Sequence, residues 1–279
     1  MKPQYDHILM SSFKEWYQHT LLDKGQAYRT TSGDLYATTG PVFQSHDTFA
    51  SPHQQWVYDS SVSGATVPSG VYSNGGYEAR GSDGLKIDYK HGRALFDESS
   101  QDGNAITANY SYKELNIYTT SKPEDKLIYE TQFDQPPIYS TPTSGLRPDS
   151  VVAPCVFLKQ FDSFNEPYSF GGEDQTVSTI RTIVFANSAY QSMAVNSLFR
   201  DTNSKVFPLL SSTPINEYGD LKAEWNYKNI LNSATQSSLV HIDDVVSSRI
   251  ENDLLSERHP NLYVSVVEFK LKKPRYPRL

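Results

Sequence analysis

Between Tyr5 and Lys24 the apolar side chains fall at Leu9, Phe13, Trp16, Tyr17 and Leu21. At 3.6 residues per turn these positions share one stripe, which predicts an amphipathic helix. Lys24 suits the negative carboxyl end of such a helix, and Gly25 offers a left-handed stop. The stripe is broad and aromatic, so it needs a large apolar face to cover it. Residues 1–26 are therefore expected to pack on the C-terminal core, across the intervening β module.

After Gly25 the period drops from 3.6 to 2. Leu85, Ile87 and Tyr89 alternate with Lys86 and Asp88, and Lys90-His91-Gly92 then turns the chain into Arg93-Ala94-Leu95-Phe96. A Gly closing a three-residue turn fits a hairpin, because only Gly enters the left-handed region freely. Ile106, Ala108, Tyr110 and Tyr112 alternate with Thr107, Asn109 and Ser111, the pattern of a strand with one wet face. Asn74-Gly75-Gly76 between Val71-Tyr72 and Tyr77 predicts a second hairpin, while Trp56-Val57-Tyr58 and Leu115-Asn116-Ile117-Tyr118 read as further strands. Residues 27–135 form an antiparallel β module in this reading.

Prolines at 136, 137, 142 and 148 mark 136–150 as a linker. The remainder, 151–279, reads as an α/β core. It begins with an apolar run from Val151 to Leu158 and a polar loop from Asn165 to Gln175. Ile180 to Phe185 predicts a strand, and Ser188-Ala189-Tyr190-Gln191 a capping box opening a helix that runs to Arg200. Val206-Phe207 starts another strand. Asp244 is placed to cap a second helix through Val246, Ile250 and Leu254, ending near His259-Pro260. Leu262 to Leu271 carries apolar residues on both faces and should be a central strand. The fold class expected is α+β: β-rich, an antiparallel β module plus a mixed helix-and-sheet core.

Composition narrows the function classes. The chain has 279 residues, 37% hydrophobic and 20% charged, the range of folded domains. Its net charge of −7 argues against wrapping nucleic acid over a broad surface. No apolar stretch approaches 18 residues and the first residues lack the apolar core of a signal peptide, so a soluble product made in the cytoplasm, with no membrane contact, is expected. One cysteine, Cys155, rules out an intrachain disulfide or a multi-thiolate metal site.

Catalytic motifs are missing from the sequence. Cys155 lies among Val151, Val152, Ala153, Val156 and Phe157, which suits a buried filler better than a nucleophile. The seven histidines show no one-turn pair with a neighbouring Glu. There is no Gly-x-Ser-x-Gly, Walker or Gly-x-Gly-x-x-Gly pattern. Asp97-Glu98, Asp102-Gly103 and Asn104 lack the alternation of a calcium loop and read as a turn, and Asn109-Tyr110-Ser111 is a glycosylation sequon only if the chain is secreted. Glycosidase carboxylates are found by spatial separation rather than by motif, so 32 acidic residues beside exposed aromatics leave a glycan-binding or glycoside-cleaving module as the alternative function. No enzyme activity, cofactor or metal is expected.

The final segment, 272–279, holds four cations and two prolines. Proline keeps such a segment extended, and Lys272, Lys273, Arg275, Tyr276 and Arg278 are the candidate subunit-interface residues of an arm laid on a neighbour. Arg275 and Arg278 could bond carboxylates there, and Tyr276 could fill a pocket.

The chain resembles structural proteins of the head-to-tail neck of tailed bacteriophages. The likeness is carried by Phe13-Lys14-Glu15-Trp16-Tyr17-Gln18-His19 with Lys24-Gly25, by the hairpin from Gly84 to Phe96, by Lys126-Leu127-Ile128-Tyr129-Glu130 and by Ser197-Leu198-Phe199-Arg200-Asp201. Among such proteins the helix-plus-sheet region is most similar to tail terminators, and the β module at 27–135 departs from them. The resemblance implies a virion protein made in the host cytoplasm and a homo-oligomeric ring. Its partners would be other neck and tail-tube proteins, with DNA passing through without specific binding.

Overall fold

A computed structural model describes residues 4–38, 46–97, 103–134, 145–147, 149–168, 174–250 and 261–275. They form a β-rich α+β fold of two sheets and four helices. The chain runs through helix α1 (Tyr5–Asp23) into strands β1 (Tyr28–Thr38), β2 (Asp47–Ala50), β3 (Gly70–Ser73), β4 (Gly76–Ala79), β5 (Lys86–Asp88), β6 (Arg93–Phe96), β7 (Ile106–Lys113) and β8 (Asn116–Thr119). Helix α2 (Glu124–Glu130), strands β9 (Cys155–Pro167) and β10 (Asp174–Ala186), helix α3 (Ala189–Arg200) and strand β11 (Val206–Pro208) follow. Helix α4 (Tyr227–Ser233) and strands β12 (Leu239–Arg249) and β13 (Tyr263–Arg275) complete it.

The first sheet has the order β4-β3-β7-β1-β2-β6-β5 and is antiparallel throughout. Its turns obey local chemistry. Asn74 and Gly75 both have positive φ between the paired Ser73 and Gly76, a two-residue hairpin that only such residues enter cheaply. Asp88 and Arg93 are the closing pair of the β5–β6 hairpin, so its connection is four residues, 89–92, one more than the alternation implied. Gly92 takes the left-handed position there.

The second sheet has the order β11-β12-β13-β10-β9-β8. β9, β10 and β13 are each 13 residues long, and β10 pairs with β13 along its whole length. Asn116–Thr119, expected as part of the β module, belongs here instead, parallel to Cys155–Leu158. Of Trp56–Tyr58, expected as a strand, only Trp56 is bridged, to Tyr112. The polar loop expected at 165–175 is also shorter, because Asn165–Pro167 pairs with Thr176–Asp174. The expected helix from Asp244 is corrected to strand: Asp244 to Arg249 pairs with Lys270 to Ser265. Val245, Val246 and the two serines after them are at home in a strand, and β13 supplies a ladder that outweighs a weak four-residue period. The rest of that expected helix, 251–260, and most of the 136–150 linker lie outside the described residues.

α1 lies between the two sheets. Phe13 meets Phe269 edge-on at 5.1 Å, Trp16 stacks on Phe207 at 5.6 Å, and Tyr17 lies flat on Phe199 at 3.9 Å. The aromatic stripe therefore packs on the C-terminal core. The opposite face is not solvated, as an amphipathic helix would suggest: Glu15, Gln18, His19 and Thr20 are all buried. At its carboxyl end the left-handed residue is Gln26, not Gly25. Gly25 is small for another reason, since a Cβ there would meet the Leu21 carbonyl at 2.6 Å. At α3 the expected cap is present: Ser188 Oγ accepts from the Gln191 amide at 3.1 Å, while Gln191 Oε1 accepts from the Asn187 amide at 3.0 Å.

Candidate functional site

The C-terminal cations are placed first. β13 continues as paired strand to Arg275, so the described part of the expected arm is sheet rather than a free extension. Pairing with β12 ends at Lys272, and proline is tolerated at 274 where a strand is held from one side. Lys272 Nζ lies 2.9 Å from Asp243. Lys273 is buried and donates to the Ser237 and Leu239 carbonyls, the latter at 2.9 Å. Arg275 lies over the Tyr5 ring at 4.1 Å, and burial pushes the Tyr5 hydroxyl pKa up to about 12. All three are engaged within their own chain. Tyr276 and Arg278 lie outside the described residues.

Two surfaces stand out instead. The first is the tip of the β9–β10 ribbon. β8 covers β9 only along Cys155–Leu158, so the outer edge of 159–167 has no strand beside it among the described residues. Phe161, Phe164 and Tyr168 are about half exposed there, at 53%, 50% and 55%. Phe161 is the extra residue of a bulge, between the pairs Gln160–Ile180 and Asp162–Thr179, and Arg181 stacks under its ring at 3.9 Å. Arg181 is itself held by Glu268 at 2.6 Å and Glu124 at 3.3 Å. Bulges at sheet edges re-aim side chains in this way.

The second surface is a cleft of about 940 Å³ between the sheets, at the far end of β10. Arg29, Tyr112 and Glu114 of the first sheet form one wall, Lys24 and Leu21 of α1 another, and Tyr190, Gln191 and Leu198 of α3 the third. His53 lies flat on Tyr112, 3.7 Å between ring centres, and burial drives its pKa down to about 4. Arg29 Nε holds Glu114 at 2.5 Å. Asn116 lines the floor; its Nδ2 donates to the Val152 carbonyl at 3.2 Å, but its Oδ1 is buried without a partner. Tyr190, 83% exposed, stands on the rim.

Deeper, where α1 meets the first sheet, is a buried polar network. The Tyr58 hydroxyl donates to Glu15 at 2.8–2.9 Å, Gln18 Nε2 bonds both Glu15 and Tyr58, and Lys113 Nζ donates to Gln18 at 2.8 Å. Burial raises the Glu15 carboxyl pKa and lowers that of Lys113 to about 7. Sealed from solvent, this network joins elements and offers a substrate no approach.

No family model matches the chain, and no curated protein matches it in sequence. The chemistry must be read from the side chains themselves. Among the described residues no three His, Cys, Asp or Glu side chains gather as a metal site, and no helix is long and apolar enough to cross a membrane. Cys155 is fully buried and its thiol pKa is raised by that burial, which removes the thiolate a nucleophile needs. Glu114 and Asp201 line one cleft, and the Glu114 carboxylate there is engaged by the Arg29 guanidinium.

Sequence reasoning missed the ribbon tip and the cleft. The tip had a signal: Phe161, Phe164 and Tyr168 sit in the polar run Asp162-Ser163-Asn165-Glu166, where apolar burial would be out of place. The cleft had none, because its walls come from stretches at 21–29, 112–116 and 190–198 that only the folded chain brings together.

Proposed function

We propose that the chain is a structural virion protein of a tailed phage, one subunit of a ring at the head-to-tail neck, with the tail-terminator position as the best fit. One observation carries the assembly: two exposed aromatic surfaces, the ribbon tip and the Tyr190 rim, lie at opposite ends of the same strand. Val177, opposite Phe164, is nine residues from Ala186, about 30 Å along β10 at 3.3 Å per residue. Unlike patches at opposite ends favour head-to-tail contacts, which close into rings when the rotation allows. The phage setting rests on the sequence resemblance. A net charge of −7 suits a channel that lets DNA pass without gripping it.

Native mass spectrometry and sedimentation velocity over a concentration series test the assembly. The expected result is one discrete species of several subunits, ring-shaped by electron microscopy. A monomer at every concentration would overturn it. The alternative, a glycan-binding or glycoside-cleaving module, draws on Tyr112, Tyr190, Glu114 and Asp201 sharing the cleft. It requires shifts of the Tyr112 and His53 resonances on titration with oligosaccharides.

A further inference from the structure

We propose that Lys113 and Gln18 join in an intramolecular amide bond, with Glu15 as the proton carrier and ammonia as the product. The bond lies within one chain and does not depend on the ring. Its parts meet in the buried network between α1 and the first sheet. Lys113 Nζ donates to Gln18 Oε1 at 2.8 Å, which sets the amine against the side-chain carbonyl. On the other side of that carboxamide, Gln18 Nε2 bonds both Glu15 and the Tyr58 hydroxyl. An amine, an acyl group and a carboxyl resting on the prospective leaving nitrogen are what an acyl transfer requires.

Burial supplies the conditions. Glu15, Gln18, Tyr58 and Lys113 are at most 6% exposed, so bulk water does not compete for the acyl carbon. Desolvation lowers the Lys113 pKa to about 7, and a large share of the amine then carries a free electron pair at neutral pH. The same desolvation raises the Glu15 carboxyl pKa, which favours the protonated form that a departing nitrogen needs. Holding amine and carbonyl in contact also replaces a chance encounter, the main entropic obstacle to such a step.

The Nζ electron pair attacks Gln18 Cδ, and both nitrogens then sit on one carbon, within reach of one carboxyl. Glu15 gives its proton to Nε2 and takes one from Nζ. The Cδ–Nε2 bond breaks, ammonia leaves, the Nζ–Cδ amide remains, and Glu15 ends as it began. No oxidant or cofactor is consumed. The bond joins residues ninety-five positions apart and fastens α1 to the end of β7. It restricts the unfolded chain as a disulfide would, in a sequence whose single cysteine forms none within the chain. Lys113 titrates as an amine only in the chain before this step.

Intact mass spectrometry of the purified full chain, followed by proteolysis, is the test. The expected chain is lighter than its sequence by one ammonia and yields a branched peptide joining Gln18 to Lys113. Glu15→Gln and Lys113→Met, each checked for folding by circular dichroism, should keep the full mass. The wild-type measurement stands whether or not the variants fold. A wild-type chain of full mass, with separate Gln18 and Lys113 peptides after prolonged incubation, overturns the proposal. Loss of one water with Lys113 joined to Glu15 would overturn it in favour of a different acceptor. A folded Glu15→Gln chain linked as completely as wild type would overturn the role given to Glu15.

Discussion

His19 Nδ1 lies 2.7 Å from Asp59 Oδ2, a buried contact between residues forty positions apart that ties α1 to the first sheet's long loop. Asp59 does more than hold the imidazole. Its other oxygen accepts from the Ser61 amide at 3.0 Å, the Ser61 hydroxyl at 2.7 Å and the Tyr227 amide at 3.1 Å. Burial alone would raise its pKa, yet these donors together hold it below the usual carboxylate value. One carboxylate thus joins α1, the loop at 59–61 and the start of α4.

Replacing that carboxylate leaves several buried donors without an acceptor. Each such group costs about 1–3 kcal/mol, so Asp59→Ala is expected to destabilise the fold by about 3 kcal/mol or more. Urea unfolding measures this. A loss below 1 kcal/mol would show that water replaces the carboxylate.

The aromatic seam of α1 gives a second expectation. Phe13 is fully buried between Phe207 and Phe269, and truncating a Phe in such a place costs about 3–5 kcal/mol. Phe13→Ala should lower the unfolding midpoint sharply, whereas Tyr190→Ala, at a largely exposed ring, should leave it nearly unchanged. Equal effects would mean that the helix is not seated on the C-terminal core.

These residues also show what a sequence makes legible. The stripe Leu9, Phe13, Trp16, Tyr17 and Leu21 could be read because helix periodicity is local, and the turns at Asn74-Gly75 and Gly92 because left-handed backbone selects its residues. Glu15, Gln18 and His19 misled, since polar residues on a helix usually face water and here face Tyr58, Asp59 and Lys113. Asp244 misled in the opposite direction. A capping residue and three apolar positions spaced four apart satisfy a helix template, but the choice between helix and strand was made by β13, whose Lys270 pairs with Asp244. The ribbon and the cleft depend wholly on such distant pairings.

Gly92 is a point where close approach and backbone coincide. It is left-handed, and a Cβ there would meet the His53 carbonyl at 2.1 Å and Trp56 Nε1 at 2.9 Å. Left-handed backbone costs about 1–3 kcal/mol for a residue other than Gly, and the clash adds to it. Gly92→Ala should therefore broaden the amide spectrum around Ser51–Trp56 and lower the melting temperature. An unchanged spectrum would contradict the packing of this turn.

His53 makes stability depend on pH. Its folded pKa of about 4 lies below the ordinary value of 6.5 because the ring is partly buried on Tyr112, with the Arg29 cation nearby. The unfolded chain therefore binds the proton more readily. Stability from this group is complete above pH 6.5 and falls as the pH drops towards 4. His53→Phe, which keeps a flat ring for Tyr112, should flatten that part of the melting curve, and titration of the His53 ring protons by NMR should find a midpoint well below 6.5.

Glu15 acts with the opposite sign. Burial raises its carboxyl pKa above the ordinary 4.5, with Lys14, the Tyr58 hydroxyl and Lys113 opposing that rise. A folded state that binds the proton more tightly than the unfolded chain has its largest contribution below pH 4.5 and loses it as the pH rises through the raised folded value. Lys113, depressed to about 7 chiefly by burial, contributes in the alkaline direction: its share is complete above 10.5 and is lost as the pH falls through 7. Glu15→Gln removes the ionisation and keeps an oxygen for Tyr58. The variant should lose less stability than wild type between pH 5 and 7, while its alkaline limb, set by Lys113, persists. Parallel curves for variant and wild type across that range would place the carboxylate in water and overturn the sealed network between α1 and the first sheet.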